Sequence, residues 1–102
     1  MPDKSFRYWL TDAISVRVSF ETDRGHVVGF TILLLADMDT TVENIARYDT
    51  AHGTAHRDLL GRKKGLLRKD WFHNIPRYQV LTHAITDFKA NHARYPQTYL
   101  EN

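Results

Sequence analysis

The sequence of 102 residues predicts an α+β fold: an antiparallel meander sheet of about five strands packed against one C-terminal amphipathic helix. Two patterns carry this expectation. Between Ile14 and Phe72, alternating or apolar runs are separated by turn residues, and strands joined in series by short turns pair with their neighbours. Beyond Pro76, apolar residues recur at three- and four-residue steps, the spacing of a helix with one buried stripe.

Ile14, Val16, Val18 and Phe20 alternate with Ser15, Arg17, Ser19 and Glu21, which predicts a strand with one dry and one wet face. Thr22-Asp23-Arg24-Gly25 is turn chemistry. Val27 to Leu35 is apolar almost throughout, as in a central strand covered on both faces. Val42 to Asp49 follows a polar turn, with Ile45 and Arg47 expected on one face and Ala46 and Tyr48 on the other. Gly53 interrupts, Ala55 to Leu60 resumes, and Gly61-Arg62-Lys63-Lys64-Gly65 reads as a hairpin loop into a last strand, Leu66 to Phe72. Trp71 and Phe72 are expected beneath the helix, although an exposed Trp71 could stack a base.

Pro76 marks the helix start, with Asn74 as its cap. Tyr78, Leu81, Ala84, Ile85, Phe88, His92 and Tyr95 fall within roughly 60° of one line on a helical wheel. Asp87 falls on the opposite, solvent side, and Pro96 is expected to end the helix.

Composition narrows the class. The apolar fraction of 42% and charged fraction of 25% are globular values, and the length suits a single domain spanning 1–102. The absence of cysteine removes disulfides, thiolate zinc sites and a cysteine nucleophile. Met1 to Trp9 lacks the apolar stretch of a signal peptide, and the longest apolar run, Ile32 to Ala36, is far below the ~20 residues of a membrane span. A cytoplasmic protein with no membrane partner is the expectation. The net charge is only +2. Its distribution is uneven: Arg57, Arg62, Lys63, Lys64, Arg68 and Lys69, with His56 adjoining, face the single acid Asp58 over this stretch. A ridge of this kind attracts phosphates, so Arg62, Lys63, Lys64, Arg68 and Lys69 are candidate nucleic-acid contacts.

The chemistry concentrates between Tyr48 and Asp58. Eleven residues, Tyr48-Asp49-Thr50-Ala51-His52-Gly53-Thr54-Ala55-His56-Arg57-Asp58, hold two histidines, two aspartates, an arginine and a tyrosine around one glycine. His52 and His56 project from the same side of an extended chain, or approach across a bend at Gly53. Three chemistries remain open. Two imidazoles can serve as base and acid in metal-independent RNA cleavage, with Arg57 or a ridge lysine offsetting charge on the phosphorane. Alternatively His52, His56 and Asp49 or Asp58 could hold a divalent metal. The cluster could also simply bind a phosphate or a partner's carboxylate.

This segment resembles the motif of the TumE family, small toxins of bacterial and archaeal toxin–antitoxin pairs. The similarity runs from about Ser15 to Tyr95 in element order, and in specific residues it covers Tyr48, Asp49, Ala51, Gly53, His56 and Arg57. Asp58 departs from the pattern, where the family tends to place a second histidine. The resemblance implies a toxin that blocks translation, with RNA as target and a cognate antitoxin protein as partner. The expectation is therefore a toxin endoribonuclease using histidine acid–base chemistry, with His52, His56, Asp49, Asp58, Arg57 and Tyr48 at the site and no required cofactor. The alternative is a non-enzymatic nucleic-acid- or protein-binding module. Tyr8 and Trp9 are candidates for a contact with an antitoxin or with a second copy in a homodimer.

Overall fold

The computed structural model describes residues 3–50 and 53–102. Strands β1 (Lys4–Trp9), β2 (Ile14–Asp23), β3 (His26–Met38), β4 (Thr41–Asp49), β5 (His56–Gly61) and β6 (Gly65–Trp71) precede helices α1 (Arg77–Asn91) and α2 (Arg94–Glu101). The strands form one sheet in chain order, antiparallel at every junction. The predicted α+β meander holds, with one strand and one helix more than expected. The added strand is β1, where Phe6 and Tyr8 alternate with Ser5, Arg7 and Trp9 along the edge of β2.

The helices cover one face of the sheet. Val16, Val18, Phe30, Ile32, Leu34, Ala46 and Tyr48 point into that layer and meet Val80, Ala84, Phe88, Tyr95 and Tyr99. Each large apolar side chain buried there stabilises the fold by ~1.5–3 kcal/mol. No helix among the described residues is long and apolar enough to cross a membrane.

Five expectations are corrected. Central β3 is covered on one face only: Phe30, Ile32, Leu34 and Ala36 are buried, whereas Thr31, Leu33 and Leu35 lie on the face without helices. In β4 the alternation slips, because the register shifts from Leu34↔Ala46 to Leu35↔Asn44 and leaves Ile45 as a bulge residue, so Ile45 and Ala46 are both buried. Pro96 does not end a helix but occupies the first turn of α2, where its missing N–H costs nothing. The single predicted helix is thus two, and α1 turns Val80, Ala84 and Phe88 inward while Tyr78 is 57% exposed. Asn74 is no cap: it takes a left-handed φ of 60°, and Pro76 is the N-cap residue without a side-chain bond. Trp71 is the fifth case. It lies opposite His56 on the helix-free face, and only Phe72 packs against the core.

The end of α2 is clasped by the β5–β6 hairpin. The Arg62 N–H donates to the Tyr99 carbonyl (2.9 Å) and the Lys64 N–H to the Asn102 carbonyl (2.8 Å). Gly61 sits so close that a Cβ there would lie 2.8 Å from the Asn102 oxygen.

Candidate functional site

Sheet alternation divides the expected site residues between two faces. Asp49, His56 and Asp58 converge on the open face. His56 Nε2 lies 3.2 Å from Asp49 Oδ1 and 3.6 Å from Asp58 Oδ1. His56 and Asp58 are buried, at 1% and 0% exposure, although no helix covers them. The indole of Trp71 lies 5.0 Å from the His56 ring, and the arms of Arg47 and Lys69 reach Asp58 at 2.7 and 3.2 Å. Asp49, with a side chain 22% exposed, is the member open to water. Burial pushes the Asp58 carboxyl up, but Arg47, Lys69 and His56 outweigh it and hold it below the usual carboxylate range. The His56 Nδ1 is buried with no hydrogen-bond partner among the described residues. His52, expected to supply the second imidazole, lies outside the described residues.

The three ligand atoms of Asp49, His56 and Asp58 lie within 4.8 Å of one another, a spacing at which one divalent ion could touch all three. The charge does not fit as well. Arg47 and Lys69 already offset the Asp58 carboxylate, and an incoming dication would meet them at close range.

Tyr48 and Arg57 point the other way. The Tyr48 hydroxyl donates to Asp87 Oδ2 (2.6 Å), as does that of Tyr95, and Asn91 donates to Asp87 Oδ1 (2.7 Å). Arg57 donates to Asp70 through Nε (2.9 Å) and Nη2 (2.6 Å), and to the Tyr95 hydroxyl (3.1 Å). Burial alone would raise the Asp87 carboxyl, yet the two hydroxyls, Asn91 and Arg57 keep it below the ordinary carboxylate range. Burial, then the Asp87 carboxylate, raises both phenols, that of Tyr95 to about 12. Asp87, expected on the solvent side, is therefore the acceptor at the centre of a network beneath the helices. Tyr48 and Arg57 share no pocket with the trio on the other face.

The expected basic ridge is likewise split. Arg62, Lys63 and Lys64 are exposed at the hairpin tip, Arg68 faces the helices and Lys69 faces the open side. In its place, strand pairing assembles a row that sequence order conceals: Arg7↔Arg17↔Leu33↔Arg47↔Asp58↔Lys69 crosses all six strands on the open face. Arg7 lies over the Trp9 ring (4.5 Å) and Lys69 over that of Trp71 (5.4 Å). These are the only tryptophans in the chain, both are exposed, and both are on this face. Arg7 and Arg17 stand directly opposite each other, and neither has a carboxylate partner among the described residues. Like charges so placed destabilise a strand pair.

A family model described as a domain of unknown function, DUF7718, matches residues 1–102. The chain belongs to this family. No curated protein and no solved structure matches it. Arg7, Arg17, Arg47 and Trp9 are the residues of this face that sequence reasoning left out of the site, and Trp71 is exposed there, as base stacking would require. Alternation in β2 marks Arg17 as outward, but only the register of all six strands aligns these residues on one face.

Proposed function

We propose that this protein binds single-stranded RNA along the cationic row of its open sheet face and cleaves it beside Asp49 and His56. The supporting observation is the row itself, with four cations against one carboxylate and an exposed indole at each end. Its length across six strands, at ~4.8 Å per strand, is about 24 Å, which suits a site of a few nucleotides with bases stacked on the indoles. Asp49 and His56 occupy the neighbouring row, Ser5↔Ser19↔Thr31↔Asp49↔His56↔Trp71.

In this reading Asp49 takes the proton of a 2′-hydroxyl and passes it to His56 behind it. The 2′-oxygen attacks phosphorus, the bond to the 5′-oxygen breaks, and solvent protonates the leaving oxygen. Arg47 and Lys69 offset the charge of the phosphorane. A toxin activity restrained by an antitoxin, implied by the resemblance, belongs to the same proposal.

The test uses a single-stranded RNA and its 2′-deoxy analogue. Tryptophan fluorescence is expected to report binding of both. Only the RNA is cut, leaving a 2′,3′-cyclic phosphate, with EDTA without effect and Asp49→Asn at least a hundredfold slower. Expression of the wild type slows growth, and His56→Ala relieves it. Intact RNA under every metal condition ends the catalytic reading. The burial of His56 favours a second one, a non-enzymatic module, in which RNA is bound and released uncut.

A further inference from the structure

We propose that the cleft between β5–β6 and the two helices, on the side of the sheet away from the cationic row, binds a phosphate group. The cleft measures about 200 Å³, and its lining includes Arg57, Arg68, Arg94, Tyr95, Thr98 and the carboxylate Asp87. This is below the ~300–1,000 Å³ of pockets that enclose whole small molecules. It suits an anionic group or the end of a larger molecule.

Three guanidinium groups reach this cleft from three different elements, β5, β6 and α2. Two are already held in place. Asp70 fixes Arg57 through Nε and Nη2 and Arg68 through Nε (3.0 Å), which leaves the outer N–H groups of Arg68 to spare. Arg94, at the start of α2, has no carboxylate partner among the described residues. The carboxylates within reach are Asp70 and Asp87. Asp87 is occupied by Tyr48, Tyr95 and Asn91 and cannot neutralise Arg94 as well. Three cations against two carboxylates leave one positive charge beside an open concavity. Donors converging from three directions match the oxygens of a tetrahedral phosphate better than a planar carboxylate, which two of them would saturate. The Thr98 hydroxyl adds a neutral donor on the same wall.

The experiment is a ¹H–¹⁵N NMR titration of the full chain with inorganic phosphate, ionic strength held constant with sodium chloride. Acetate serves as the planar control and uridine 5′-monophosphate as an esterified source. Saturable shifts are expected at Arg94, Tyr95 and Thr98, with the indole N–H signals of Trp9 and Trp71 unmoved by phosphate. Acetate should bind at least tenfold more weakly. Arg94→Ala, a change at an exposed side chain outside the folded network, should weaken phosphate about tenfold, the effect of one charge-assisted hydrogen bond. Tighter binding of the nucleotide than of inorganic phosphate identifies an esterified ligand, and equal binding a free one. The proposal is overturned if phosphate produces no more shift than chloride, if acetate binds equally well, or if Arg94→Ala binds phosphate within twofold of wild type. Because this cleft and the cationic row lie on opposite faces, loss of RNA binding in an open-face variant leaves these outcomes unchanged.

Discussion

The two faces of this sheet are made from the same six strands but by different rules. Towards the helices, the central polar groups form a linked network: Tyr48 and Tyr95 bond to Asp87, and Arg57 bonds to Asp70. On the open face, Arg7 and Arg17 stand opposite each other with no carboxylate, and two indoles lie in water. The covered side is arranged for stability. The other keeps charge and aromatic surface at some cost to stability, which is where a ligand would be accommodated.

Substitutions should separate the faces. The largest loss of stability is expected from Asp87→Ala, which strips two buried hydroxyls of their acceptor and leaves Arg57 with one carboxylate fewer. About 3 kcal/mol should be lost in urea denaturation. Gly61→Ala should cost ~1–3 kcal/mol by the same measurement, since the new methyl group must displace the end of α2. Tyr48→Phe, which removes one donor but leaves Asp87 ionised and otherwise bonded, should cost about 1.5 kcal/mol. The smallest change in stability belongs to the open face. Arg17→Glu replaces a like-charge pair by an attractive one and should stabilise the fold by a few tenths of a kcal/mol. The same variant should bind single-stranded RNA at least tenfold more weakly and with a shallower salt dependence. If Arg17→Glu leaves RNA affinity unaltered, the contrast between the faces loses its functional meaning.

Carboxylates on both faces and a phenol beneath the helices set the pH limits. Asp87 and Asp58 titrate below their unfolded value near 3.8, so their contribution is full above that value and disappears as the pH falls through the lower folded one. Tyr95 titrates at about 12 in the fold against 10.0 unfolded. Its contribution is complete below pH 10 and is lost as the pH rises towards 12. Thermal unfolding across pH should therefore show a plateau that falls at both ends, and Tyr95→Phe should flatten the alkaline fall.

Much of the fold was legible because alternation and turn chemistry are local. Ile14 to Phe20 and the Gly61–Gly65 loop follow from neighbours in sequence. What escaped depended on contacts between distant segments. The Ile45 bulge is a mismatch between two strands, and no property of β4 alone signals it. Asp87 turns inward because it lies on the Val80–Ala84 stripe of α1, whereas a wheel drawn on through His92 and Tyr95, past the break between the helices, centres on a different line. For the site, the Asp49–His56–Asp58 grouping was visible as composition, but its separation from Tyr48 and Arg57 required knowing which way successive residues of β4 and β5 point. The cationic row was invisible for a further reason. Its members are far apart in the chain and become neighbours only when five junctions set their registers.

Strict sequential order has a consequence for how the chain reaches this state. Every hydrogen-bonded strand pair joins segments that are also adjacent in the sequence, so each closes a short loop and loses little chain entropy. The distant closures are those that lay α1 on β3 and α2 on β4 and β5. By the relation between contact separation and rate, hairpins should assemble before the helices dock. Stopped-flow fluorescence should then see Trp71 reach its native environment ahead of the signals from Tyr95 and Tyr99.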